Sequence, residues 1–169
     1  MGMQLIETIE VGSGGAASIE FTSIPQDGVD LMLKVSARSD RALWLDTMTL
    51  RFNSDSGSNY NWLRLSGNGS SPGSGSSTGT TNIEFNIAAD TATSGTYGSW
   101  SAHISNYTST TNKSVSRDEV TENNATSAIQ AIYAASYTTS SPITSIQLGA
   151  GVGDYMEFTT ASLYKITAD

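Results

Sequence analysis

The chain contains no cysteine, which excludes disulfides, thiolate chemistry and cysteine-based metal sites. Its single histidine, His103, leaves a structural zinc site almost without ligands. Charge is also scarce, at 14% of residues, with eight basic side chains against sixteen acidic ones. A duplex-binding protein needs clustered Lys and Arg to neutralise phosphates, so no nucleic-acid partner is expected. Low charge argues equally against a solvated acidic tail. No apolar run approaches the ~20 residues of a membrane span, so no membrane insertion is expected. The opening Met1-Gly2-Met3-Gln4 lacks the basic region and apolar stretch of a signal peptide, and secretion by that route is not expected.

What the chain does have is hydroxyls. Ser and Thr fill roughly a quarter of the 169 positions, well above ordinary usage. With a net charge of −8 and a pI near 4.4, the surface is wetted by hydroxyls more than by ions. The length suits one domain with its own core, and a single domain over 1–169 is expected.

Short alternating runs separated by turn residues dominate. Leu5 to Val11, Ser18 to Thr22, Asp30 to Arg38, Leu43 to Phe52 and Tyr60 to Leu65 read as strands. Gly12 to Gly15 reads as a hairpin turn and Pro25-Gln26-Asp27-Gly28 as a second turn. Residues 66–81 are almost entirely Gly, Ser, Asn and Thr, and are expected to form a flexible loop. The alternation resumes at Ile83, Phe85 and Ile87, then at Trp100 to Ile104, Lys113 to Thr121, Ile143 to Leu148 and Tyr155 to Ile166. Ala125 to Tyr137 fits both a helical and a strand period; its β-branched and aromatic content favours strand. The expectation is an all-β fold, an antiparallel β-sandwich of about 8–10 short strands, with no repeat of solenoid or propeller type.

Several motifs tempt a catalytic reading and fail on context. Gly12-Ser13-Gly14-Gly15-Ala16-Ala17 matches a dinucleotide fingerprint, but alternating Ile19 and Phe21 put a strand where the phosphate-binding helix should start. Gly75-Ser76-Ser77-Thr78-Gly79 matches the G-x-S-x-G elbow, with Asp90 and His103 following in triad order, yet it sits inside low-complexity sequence. Asp118, Glu119 and Glu122 are the densest acidic cluster and read as a solvated strand end, since nothing sets the separation a glycosidase needs. The sequons at Asn68, Asn106, Asn112 and Asn124 are what chance supplies in a chain this rich in Ser and Thr. Neither enzymatic activity nor a cofactor is expected.

The binding candidates lie elsewhere. Asn53-Ser54-Asp55-Ser56-Gly57-Ser58-Asn59 offers oxygen ligands at alternate positions around a glycine, as calcium loops do. The twelfth position is Arg64 where an EF-hand needs Glu, so no metal is assigned. Trp44, Trp62, Trp100 and the seven tyrosines suit a sandwich core or a subunit interface. Tyr60 and Trp62, beside the polar loop, are the candidates for an exposed platform. The candidate site is therefore Asn53, Asp55, Asn59, Tyr60 and Trp62.

Four stretches taken in order carry a resemblance: Ala17 to Pro25 with the apolar strand through Arg38; Leu50 to Tyr60; Ile104-Ser105-Asn106-Tyr107-Thr108-Ser109-Thr110-Thr111; and Phe158 to Ile166. Together they resemble small virion structural proteins of tailed bacteriophages. The resemblance implies a jelly-roll-like sandwich on the virion surface, assembled in the bacterial host cytoplasm. It implies a capsid decoration (cement) protein or, alternatively, a head-fibre or tail-appendage domain that binds host surface glycans. The implied partners are the major capsid protein or another virion protein, together with further copies of the chain, a trimer being favoured.

Overall fold

A computed structural model describes residues 2–168. Twelve strands form: β1 (Gly2–Glu10), β2 (Ser18–Phe21), β3 (Asp30–Ala37), β4 (Leu45–Phe52), β5 (Tyr60–Gly67), β6 (Pro72–Thr80), β7 (Ile83–Ala88), β8 (Gly98–Ile104), β9 (Lys113–Glu122), β10 (Ala128–Tyr137), β11 (Ile146–Ala150) and β12 (Thr160–Thr167). The period of two seen in the sequence is the period of burial. Leu31, Leu33 and Val35 of β3 face inward, as do Met48, Leu50 and Phe52 of β4 and Ile83, Phe85 and Ile87 of β7. These side chains meet in one core between two antiparallel sheets.

The larger sheet runs β1-β12-β3-β8-β9-β10-β5-β6 and the smaller β2-β11-β4-β7. Setting aside β1, β12 and the β9–β10 hairpin, the remaining strands lie in the orders 3-8-5-6 and 2-11-4-7. Each link between them except β5–β6 crosses from one sheet to the other. That is the winding of an eight-stranded double-sheet jelly roll. The β9–β10 hairpin is wedged between β8 and β5, and β12 with β1 extends the other side. With eight strands facing four, the larger sheet overhangs the smaller one, and β5 and β6 form a wing beside the free edge of β7.

Three expectations need correction. Residues 72–80 are not a flexible loop: they form β6, held by a ladder to β5 from Tyr60↔Thr80 to Gly67↔Pro72. The Gly/Ser composition hides this strand because the small sheet does not cover it, so no apolar alternation is required. Gly12 to Gly15 is a turn, with Gly15 N–H donating to Gly12 O, but not a hairpin. β1 pairs with β12 and β2 with β11, so the turn carries the chain from one sheet to the other. The strand count rises to twelve. Residues 128–137 are strand, paired along their length with both β9 and β5.

Candidate functional site

The 53–59 loop is organised by its own polar groups. Asn53 sits at φ 54, a left-handed conformation that Asn tolerates better than most residues. Its Oδ1 accepts from Thr144 N and Ser145 N, and its Nδ2 donates to Pro142 O. Asp55 Oδ1 accepts from Gly57 N at 2.7 Å, and Oδ2 from Asn59 Nδ2 at 2.8 Å and Tyr137 OH at 3.0 Å. The bond from the Gly57 backbone N–H, followed by that from the Asn59 side-chain amide, holds the Asp55 carboxyl below its ordinary range. The oxygens that could ligate a cation are thus engaged in shaping the turn. Among the described residues, no three of His, Asp or Glu converge as a metal site.

Tyr60 and Trp62 part company. Tyr60 is fully buried, not an exposed platform. It stacks on Tyr137 at 4.9 Å, accepts from Phe52 N and donates to Asp55 O. Burial pushes its phenol well above the ordinary range. Alternation brings it inward with Trp62, but only Tyr60 lies over the core proper. Trp62 is half-buried on the overhanging wing, edge-on to Tyr133 at 6.1 Å. Across the β5–β6 ladder, Gly75 lies beside the indole, where an added Cβ would sit 3.6 Å from it.

The acidic cluster divides by strand parity. Glu119 is buried, not part of a solvated strand end, and pairs with buried Arg117 at 3.1 Å. Asn86 Nδ2 and Tyr133 OH donate to the same carboxylate. The Arg117 guanidinium lies between the Phe85 and Tyr133 rings, 3.7 and 3.4 Å from their centroids, and donates to Glu84 O. Burial lowers the Arg117 pKa to about 10, with Glu119 opposing the shift. This polar seam ties β7 to β9 and β10, and the sequence reading missed it. Its signal was an arginine two residues before a glutamate on an alternating strand, which places both on one face. Asp118 and Glu122 point outward, and Asp118 accepts from Ser101 Oγ at 2.6 Å. Four residues of strand separate the two by roughly 13 Å, beyond the reach of a glycosidase pair.

The G-x-S-x-G residues lie on β6, while His103 lies on β8 with three strands between them, roughly 19 Å across the sheet. His103 instead pairs with Asp30 at 3.0 Å, and Asp90 O accepts from Arg38. The triad order read from the sequence is not assembled in space.

Two surfaces remain open on the wing. On the outer face Leu63 and Leu65 of β5 are 62% and 61% exposed, Ile132 of the neighbouring β10 is 56% exposed, and Val120 of β9 is nearby at 45%. Leu65 is directly opposite Ile132, and Leu63 is opposite Ala134, so the patch is continuous. Two shallow hollows share Leu65 and Ile132. On the inner face, Trp62 and Glu84 line two adjoining concavities, a small one of about 60 Å³ and a larger one of about 370 Å³.

No family model matches the chain, and no curated protein matches it. Among solved structures it is similar to exo-inulinase from Aspergillus awamori at 12% identity and a TM-score of 0.42, over 99% of this chain and 29% of that one. The chain therefore spans under a third of the length of that enzyme, and a likeness at this level bears on neither substrate nor activity.

Proposed function

We propose that this protein is a structural component of a tailed-bacteriophage particle, a decoration protein seated on the capsid surface. One observation supports this reading most directly: the continuous apolar patch of Leu63, Leu65, Ile132 and Val120 on the outer face of β5, β10 and β9. Those four side chains present roughly 400 Å² of apolar surface, the size at which patches on single chains mark binding surfaces. It is also close to the apolar share of one partner's half of a standard interface. The occupant in this reading is an apolar surface of the capsid lattice. The resemblance carried by residues 17–38, 50–60, 104–111 and 158–166 points the same way, and it favours trimers of the chain on the particle.

The test is mass spectrometry of purified particles. The protein should be present in copies that match the lattice, and its absence would end the proposal. Ile132→Asp should leave the isolated protein folded, because the residue is already exposed, and should lower particle occupancy by tenfold or more, since burying an unpaired charge costs at least ~1.4 kcal/mol. Full occupancy by Ile132→Asp would remove the patch from the attachment site.

A further inference from the structure

The inner side of the wing carries a different chemistry. β5 places Trp62 and Arg64 on the face turned toward β7, opposite Ser77 and Gly75 of β6. The small sheet ends at β7, so these side chains overhang a free strand edge. Glu84 projects from that edge and is exposed. Thr80 at the end of β6, with Thr81 and Asn82 of the turn that follows, closes one end. The result is a polar groove with one aromatic wall, at the lower end of the size range of small-molecule sites.

The polar groups here have unused capacity. Among the described residues, the Glu84 carboxylate makes no ion pair and no side-chain hydrogen bond, nor does the Ser77 hydroxyl make one. Arg64 Nε is buried and without a partner. That nitrogen is closed off from the groove, so a ligand there would be met by the outer guanidinium nitrogens. The aromatic wall is fixed: Tyr133 meets the indole edge-on, and Gly75 offers no Cβ to displace it. One apolar ring face thus lies beside a bare carboxylate, a guanidinium and a hydroxyl.

We propose that this groove binds a saccharide, with one sugar ring stacked on Trp62. A sugar ring has an apolar C–H face and a rim of hydroxyls that both donate and accept. The indole would take the face. Glu84 would accept from two ring hydroxyls, while Arg64 and Ser77 would donate to hydroxyl oxygens. Glycan binding by an appendage was the alternative drawn from the resemblance. This inference deepens that alternative: it keeps Trp62 of the candidate site and replaces its 53–59 loop partners with Glu84, Arg64 and Ser77 of the inner wing. It concerns the isolated chain, so it stands or falls separately from attachment to a capsid.

The purified protein is probed on an array of neutral and acidic oligosaccharides, and each hit is titrated by tryptophan fluorescence and NMR. The expected result is saturable binding by the folded wild type. Glu84→Gln should weaken it about tenfold or more at an unchanged melting temperature, because the charge-assisted bonds are lost from an exposed residue. Trp62→Ala should abolish binding, and Trp62→Phe, which keeps a ring, should retain part of it. Leu65→Asp, on the opposite face, should bind as the wild type does. Folded wild type that binds no glycan on the array overturns the proposal, as does binding that survives both Glu84→Gln and Trp62→Ala. Particle occupancy reports on the decoration reading alone.

Discussion

Asp55 shows how one carboxylate can define a loop. It gathers Gly57 N–H, the Asn59 amide and the Tyr137 hydroxyl, and so joins the loop to β10. Asp55→Ala should cost about 1–3 kcal/mol in urea titrations, since it strands several donors. The pH dependence follows from the lowered pKa. Stabilisation by this charge is complete above the unfolded value near 3.8 and is lost as pH falls through the lower folded value. The stability gap between wild type and Asp55→Asn should therefore be flat near neutrality and shrink below about pH 4; a gap constant down to pH 2 would show that the charge contributes nothing. Asp46 works in the same direction. Burial, the largest influence, raises its pKa, but bonds from Thr47, Gly153, Ser39 and Arg41 together outweigh it. The sequence exposed this loop as a cluster of turn formers with side-chain oxygens. It could not tell oxygens that bind a ligand from oxygens that bind the chain itself, because Thr144 and Tyr137 lie more than 80 residues away.

At the scale of single strands, alternation was legible wherever the buried positions are apolar. In β3, Leu31, Leu33 and Val35 alternate with Met32, Lys34 and Ser36, and the strand is plain from the sequence. β9 is different: its inward positions are Lys113, Val115, Arg117, Glu119 and Thr121. The strand itself could be read there, but which face is buried could not, because hydropathy marks four of those five residues as surface. Lys113 is kept inside by donating to Ser109 O, Thr111 O and Ser141 O, and Arg117 by two rings and a carboxylate. β6 fails for the opposite reason, since its composition carries no burial signal at all. The Arg117–Glu119 pair makes a sharp prediction. Arg117→Met alone should destabilise the protein by about 3–5 kcal/mol, leaving Glu119 buried and uncompensated, while Arg117→Met with Glu119→Gln should recover much of the loss. Chemical denaturation of both variants checks this, and a double variant no better than the single one would place the cost in lost ring packing instead.

For the whole molecule, protection should follow position in the two sheets. β3 and β8 lie centrally in the large sheet beneath the small one, whereas β6 has a ladder partner on one side only. Hydrogen exchange should find the amides of 31–35 and 100–104 opening only with global unfolding, and those of 73–79 exchanging orders of magnitude faster through local opening. Equal protection across the large sheet would mean that the wing is tied down by something the isolated chain does not display. The sandwich as a whole was readable because two-sheet folds impose a period of two on most strands. The groove beneath the wing was not, because Glu84 and Trp62 meet only through the overhang of one sheet past the other.

That overhang follows from parity. β8 and β5 run in opposite directions, and the wedged hairpin keeps them so. One inserted strand would turn an antiparallel contact into a parallel one and break the winding; two leave every polarity intact. The large sheet can therefore widen or narrow only by whole hairpins, in steps of about 9.6 Å. The molecule's reach is quantised: a chain without residues 113–137 would bring β5 against β8, draw the wing back over the small sheet, and close the groove that the extra width holds open.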